Sequence, residues 1–287
     1  AFKFNTRILA FFAVDLYDVY ISTRIDRYDD FIPFNQGSNG AGNPGGKGNP
    51  PNPNGYVTSY LWERVLTKDS VLDLINKFIT VSTIKKEIVN SKGEKKKITE
   101  QRVIFPRFHQ YDVVHKVIDD VIDNGSGRNY LINHSAGSGK SNSIAWLAYR
   151  LASAFDKNEK PIFNSVIVVT NRIVLDNQLQ ETIESFDHTA GLVAAITKSK
   201  GSEGLKNAVN DGKKIIICTI QKFLYVYKDF DKMNNKNFAI IIDEAHQGQS
   251  GESARTLRKS LIDKSKELET YRNEAGLTLD EADEIDE

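Results

Sequence analysis

The chain has 287 residues, 40% hydrophobic and 26% charged, which is enough apolar material for one large domain or two modest ones and excludes a mini-protein. Lys plus Arg and Asp plus Glu each number 38, so net charge lends no support to a nucleic-acid partner and any such claim has to rest on motifs. A lone cysteine, Cys218, excludes a disulfide framework and fits a reducing cytoplasm.

The longest apolar run near the start, Ile8 to Val14, is bounded by Arg7 and Asp15 and is too short to cross a bilayer, and no secretory signal pattern precedes it. No membrane partner is expected. The first residue is Ala1 and the single methionine is Met233, as expected if the start lies upstream or the initiator was removed. From Phe2 to Phe34 short apolar runs alternate with polar residues, as in Tyr17 to Thr23, the period of a half-buried strand. Residues 35–55 are almost entirely Gly, Asn and Pro, a composition that buries little and loses much entropy on ordering, so a flexible linker is expected. Between Tyr60 and Phe78, Leu61, Val65, Leu72 and Ile75 fall at helical spacing and predict one or two short helices. Two strand-like runs follow, Ile79 to Val89 and Lys97 to Phe105, around a basic turn at Ser91 to Lys97 that reads as a solvated hairpin tip or a DNA contact.

From Tyr111 the pattern becomes regular. A helix runs to about Asp123, a strand is expected at Tyr130 to Asn133, and a Gly-rich loop leads into a helix through Ala154. Ser165 to Thr170, Lys214 to Thr219 and Phe238 to Ile242 are further short β-branched runs, separated by helical segments such as Ile173 to Phe186. Continuous apolar strands alternating with helices predict an α/β fold with a mostly parallel sheet covered on both faces.

His134-Ser-Ala-Gly137-Ser138-Gly139-Lys140-Ser141 sits between the expected strand and a helix with Ile144, Leu147, Ala148 and Leu151 on its apolar face. This is the context of a P-loop. Glycines let successive backbone N–H groups turn toward a phosphate, the helix N-terminus adds partial positive charge, Lys140 can reach the β- and γ-phosphates, and Ser141 can offer its hydroxyl to Mg²⁺. Gly137, Ser138, Gly139, Lys140 and Ser141 are therefore the candidate nucleotide-binding loop. The usual pattern has Gly or Ala where this chain has His134. About a hundred residues on, Ala239 to Ile242 ends in Asp243-Glu244-Ala245-His246. Two carboxylates at the C-terminal edge of a parallel sheet either serve a ligand there, Asp243 in the Mg²⁺ shell and Glu244 on the attacking water, or begin a helix as dipole-complementing acids.

A loop GSGKS followed by DEAH resembles the first RecA-like lobe of superfamily-two helicases. In that resemblance Phe105 to Gln110 is similar to the adenine-recognition motif, which implies Gln110 as adenine reader. Phe108 either stacks on the base or sits in the core, and Gln110 is otherwise a surface residue ahead of a helix. Thr170-Asn171-Arg172 resembles the segment that holds the nucleic-acid backbone, and Thr219-Ile220-Gln221-Lys222 occupies a similar place in the next unit. Each of these also reads as a local helix start, since Thr and Asn cap helices for their own reasons. Cys218 reads as packing.

Taken together, IFPRFHQYDVV, GRNYLINHSAGSGKSNSIAWLA, VIVVTNRIVLDNQLQ, TIQKF and IIDEAHQGQSGESA resemble the restriction subunit of type I restriction endonucleases. FAVD, FIPFNQG and AGNPGGKGNPPNPNGY are similar to the region joining its nuclease domain to its motor. The resemblance implies a cytoplasmic, ATP- and Mg²⁺-dependent translocase on double-stranded DNA, assembled with methyltransferase and specificity subunits, with His246 coupling the site to DNA movement. On the same basis residues 1–34 are expected to close a nuclease-side domain, 35–55 to link, 56–104 to connect, and 105–287 to form the first ATP-binding lobe up to motif III. The family's nuclease acids are expected before Ala1 and its second lobe, with an arginine finger, after the tail, so the chain is expected to be a fragment that hydrolyses ATP weakly by itself. Glu94-Lys95-Lys96 matches the nuclease spacing only formally, in a charged turn. The rival readings are a non-catalytic nucleotide-binding remnant, another superfamily-two helicase, and a small-molecule P-loop kinase, which would need a substrate lid that the sequence does not display.

Overall fold

A computed structural model describes residues 8–24, 30–43, 46–89, 95–135, 137–170, 179–184, 186, 192–195, 201–223 and 236–243. The chain divides into two compact units, Ala1–Phe163 with Glu181–Thr189, and Asn164–Gln180 with Ala190–Glu287.

The first unit opens with a small antiparallel sheet of β1 (Phe11–Val14), β2 (Val19–Ser22) and β3 (Ile32–Pro33), in that order. Val19 and Ile21 point inward from β2 while Tyr20 between them is exposed, as strand periodicity requires. The described residues of 35–55, the segment expected as a flexible linker, trace defined turns. Asn35 accepts the Val19 N–H at 2.8 Å, the Asn49 amide donates to the Tyr17 carbonyl at 2.9 Å, and the Gln36 N–H donates to Asn49 Oδ1 at 2.9 Å. Asparagine carboxamides here replace the ladder partners that the backbone would otherwise lack.

A helical region follows, in which a π-helical turn at Leu61–Val65 is separated by extended backbone at Thr67 from α1 (Lys68–Asp73), which runs on into a second π-helical turn at Leu74–Phe78. Leu61, Val65, Leu74 and Phe78 are its buried residues. The two strand-like runs pair as a long antiparallel hairpin, β4 (Thr80–Val89) on β5 (Lys95–Ile104), in register from Thr80 opposite Ile104 to Val89 opposite Lys95. Next, α2 (Phe108–Asn124) buries Phe108, Tyr111, Val114, Ile118 and Val121, a stripe at three- and four-residue spacing, and stops at Gly125, whose φ of 77° an L side chain adopts only at a cost.

Helix α3 (Lys140–Ala152) buries Trp146, only 1% exposed, and the indole N–H donates to the Phe78 carbonyl at 2.9 Å. Around that contact Asp73, at the end of α1, gathers three cations or donors: Arg150 of α3, His115 of α2 at 3.0 Å and Lys77 at 3.3 Å. Burial works against the charge of Asp73, but the His115 and Arg150 hydrogen bonds and the Arg150 and Lys77 charges outweigh it and hold the carboxyl well below the usual carboxylate range. His115 stacks on Phe78 with ring centroids 5.2 Å apart. One carboxylate thus ties three helices together.

The expected strand Tyr130 to Asn133 forms no ladder among the described residues, and Leu131 is 89% exposed. The reason is local. Arg128 and the Tyr130 hydroxyl both bind Asp120 near the end of α2, so the segment is tethered there. Burial and that carboxylate push the Tyr130 phenol up to about 12.

The second unit is the parallel sheet that the alternation predicted. Strands β6 (Ser165–Thr170), β7 (Val193–Ala195), β8 (Ile215–Thr219) and β9 (Phe238–Ile242) lie in the order β7-β8-β6-β9, every neighbour parallel. All residues of β6 and β8 are buried, which is why they read as unbroken apolar runs. Helix α4 (Gly201–Asn210) sets Leu205, Ala208 and Val209 against Ile167, Val169, Ile216 and Cys218. Cys218 is fully buried. A thiol reagent should therefore leave the native chain unmodified and titrate its single thiol only in denaturant; rapid native labelling would place β8 outside the core. Among the described residues no helix is long and apolar enough to cross a membrane.

Candidate nucleotide-binding site

The loop ahead of α3 owes its shape to two glycines. Gly137 has φ of 73° and Gly139 of 85°, both in the left-handed region. Gly139 is the residue that starts α3, so Lys140 and Ser141 are the first two residues of the helix, whose N-terminus no side chain caps. The Gly139 carbonyl accepts the N–H groups of Asn142 at 3.0 Å and Ser143 at 3.4 Å. A Cβ on Gly139 would lie 2.6 Å from Gln110 Nε2, whereas one on Gly137 would meet nothing within 4 Å.

Gln110, buried at 2% exposure, braces this loop from α2. Its Oε1 accepts the Arg107 N–H at 2.8 Å, which caps α2, and its Nε2 donates to the carbonyls of Gly139 at 2.8 Å and Ser138 at 3.3 Å. Both amide hydrogens are thus aimed at loop carbonyls, and an adenine edge would meet the remaining Oε1 lone pair unless one of these bonds is exchanged. Of the two expectations for Phe108, its packing accords with a place in the core. The ring is 2% exposed and packs edge-on against Phe34 at 5.6 Å and Tyr60 at 5.1 Å, because the apolar stripe of α2 includes it.

Two histidines flank the loop. His109 Nε2 lies 3.1 Å from the Ser138 carbonyl, which can only accept, so that nitrogen carries the proton. The His109 ring stands edge-on to His134 at 4.7 Å. Burial, then the neighbouring His109 and Lys140 charges, pushes His134 below the ordinary histidine value. Burial also lowers His109, the Ser138 hydrogen bond opposes it, and the Arg107 charge adds to the lowering. His134 Nδ1 and Ser138 Oγ are both buried without a hydrogen-bond partner. Orphaned polar atoms on a left-handed, helix-capping loop beside a lysine are what a bound phosphate group would satisfy, so the residues fit a nucleotide's phosphates.

In the second unit Thr170, Thr219 and Asp243 share one sheet edge. Thr170 pairs with Thr219 at the ends of β6 and β8, both buried, and the Asp243 N–H donates to the Val169 carbonyl at 2.9 Å just past β9. This is the carboxyl edge of a parallel sheet, with β6 between β8 and β9. Lys140 and Ser141 belong to the first unit, and these three residues to the second. Glu244, His246, Asn171 and Arg172 lie outside the described residues.

The family model for the SWI2/SNF2 ATPase matches residues 109–266, more than half of the chain, and takes in the loop and all three edge residues. The chain belongs to the SWI2/SNF2 ATPase family. Curated relatives of this SWI2/SNF2 ATPase include two proteins of Methanocaldococcus jannaschii. One, described as a type I restriction enzyme MjaVIIIP endonuclease subunit, is 26% identical over 227 residues, which is 72% of this chain and 21% of that protein. The other, described as a type I restriction enzyme MjaIXP endonuclease subunit, is 28% identical over 174 residues, 57% of this chain and 16% of that protein. The SWI2/SNF2 ATPase chain therefore spans about a fifth or less of the length of these relatives. Membership implies ATP binding, and the distant homology is to type I restriction enzyme endonuclease subunits.

Sequence reasoning passed over His109 and the backbone of Arg107 as parts of the loop's support. The available signal was a glutamine three residues into a helix, the N3 position of a capping box; with Arg107 rather than Ser or Thr at the cap, the pattern does not stand out.

Proposed function

We propose that this chain is the ATP-binding part of a DNA-translocating motor of the type I restriction kind, working with methyltransferase and specificity subunits on double-stranded DNA. The observation that carries the reading is the loop Gly137–Ser141, held by two left-handed glycines and by Gln110 at the start of α3, inside a SWI2/SNF2 ATPase match. Names borne by the two archaeal relatives supply the restriction context.

In this reading Gly137, Ser138 and Gly139 wrap the phosphates with backbone N–H groups, and Lys140 offsets charge on the β- and γ-phosphates. Ser141 and Asp243 hold Mg²⁺, which when bound withdraws charge from the transferring phosphoryl group. Glu244 orients the attacking water and takes its proton, Gln110 reads adenine through its free Oε1 lone pair, and His246 couples turnover to DNA movement. Thr170, Asn171, Arg172 and Thr219 hold the DNA backbone, as short polar side chains and an arginine at strand ends suit phosphate contacts, which for the buried Thr170 and Thr219 requires that DNA binding uncover them. Residues 105–287 form the first ATP-binding lobe, preceded by 1–34 from the nuclease side, the 35–55 link and the 56–104 connection.

Titration of a non-hydrolysable ATP analogue into wild type and Lys140→Ala tests this reading. Removing a charge-assisted contact to phosphate should weaken binding about tenfold to a hundredfold. Equal affinities would remove Lys140 from the site.

A further inference from the structure

The usual residue at the head of a phosphate loop is Gly or Ala; here it is His134, and the fold sets a second imidazole, His109, edge-on to it at 4.7 Å. The pair is wired into the loop. His109 donates to the Ser138 carbonyl, and Ser138, 6% exposed, carries the unpartnered Oγ, as His134 carries the unpartnered Nδ1. We propose that the His109–His134 pair takes up a proton when the loop binds a triphosphate, so that nucleotide binding by this chain is linked to pH through His134. This rests on the nucleotide-binding reading of the same loop.

Among the described residues, the charges acting on the pair are those of Lys140 from α3, Arg107 from the turn before α2, and each imidazole on the other. All are cationic or become so on protonation. A proton on either ring is opposed by burial and by positive neighbours, and both rings titrate below an ordinary histidine. A triphosphate brings several negative charges to the lysine that opposes that proton, and salt screens such partly buried groups little. The sign of the local field reverses, and the proton goes from solvent to the unpartnered Nδ1 of His134, whose N–H then has an acceptor. Because the two rings are in contact, the pair titrates as one system and a single proton is the expected uptake. A group whose pKa is higher in the bound state favours binding at low pH, and that contribution is lost as pH rises through the bound-state value.

Calorimetric titration of the whole chain with a non-hydrolysable ATP analogue, between pH 6 and 8 and in two buffers of different ionisation enthalpy, reads both affinity and proton uptake. Wild type should take up more protons per nucleotide than His134→Ala, and its affinity should fall about tenfold further than that variant's between pH 6 and 8. The analogue's own titration is common to both proteins and cancels. His134→Lys, with its charge fixed, should bind as wild type does at low pH and show no excess proton uptake. Should His134→Ala not fold, His109→Gln, which keeps a donor for the Ser138 carbonyl, removes one partner of the pair and should flatten the pH profile likewise. Tight binding with identical proton uptake and pH profiles in wild type and variants overturns the inference while leaving the nucleotide site standing. No binding by any of them sinks the nucleotide reading itself.

Discussion

Replacing Asp73 with alanine should destabilise the first unit by about 3 kcal/mol, the cost of removing one partner from a largely buried ion pair and leaving the other without compensation. Arg150 is 9% exposed and Asp73 19%, so little water is available to take over. The loss should extend beyond one pair, because the same carboxylate also receives His115 and Lys77 and so joins α1, α2 and α3. Urea unfolding followed by tryptophan fluorescence is the direct measurement. Both tryptophans, Trp62 and Trp146, belong to the first unit, and Trp146 lies against Phe78 at the centre of the cluster. A change below about 1 kcal/mol would class the cluster with solvated surface pairs. The acid limb adds a second readout. The Asp73 carboxyl is depressed in the folded chain, so its stabilisation is complete above its unfolded value of 3.8 and is lost as pH falls toward the folded value. Asp73→Asn should lack that part of the acid sensitivity.

Gly139→Ala should cost the loop twice. A left-handed alanine is strained by about 1–2 kcal/mol, and the added Cβ, 2.6 Å from Gln110 Nε2, would force the amide off the Gly139 carbonyl. The brace between α2 and the phosphate loop would open, and affinity for an ATP analogue should fall by more than about tenfold, equivalent to roughly 1.4 kcal/mol. Gly137→Ala is the matched comparison, since it bears the same backbone strain with nothing within 4 Å of the new methyl. Stability loss without clash should therefore separate the two variants. If Gly139→Ala binds nucleotide as wild type does, then the loop takes another shape when loaded and Gln110 is not its support.

Legibility from sequence followed the range of the interactions involved. Strands β6 and β8 stood out because burial on both faces leaves little polar sequence to interrupt them, and α2 and α3 because one apolar stripe suffices to specify a helix. The regular helix–strand–loop–helix pattern predicts a strand at Tyr130 to Asn133, whereas its path depends on Asp120, ten residues back from Tyr130. Composition also suggested mobility for 35–55, since asparagine scores as a poor burier; its carboxamides act as backbone substitutes, a role that needs Val19 and Tyr17 in place. The GSGKS loop was legible as a motif, but its brace was not. Gln110 and Gly139 meet only when α2 and α3 pack, and the Asp73 cluster joins residues 42 and 77 positions apart. Such contacts have no periodicity in the chain.

The central strands of the second unit have a further property. In β6 and β8 residues on both faces are apolar and buried, so sliding one strand by a residue would exchange Ile216 and Cys218 for Ile215 and Ile217 with small penalty from hydrophobicity. Alternation cannot align such strands. What distinguishes the native alignment is its terminal polar groups: Ser165 opens β6, and Thr170 faces Thr219 where both strands stop. The threonines proposed for DNA contact would then also act as alignment marks, and a substitution chosen to weaken ligand contact at either would mispair the sheet and mimic a binding defect.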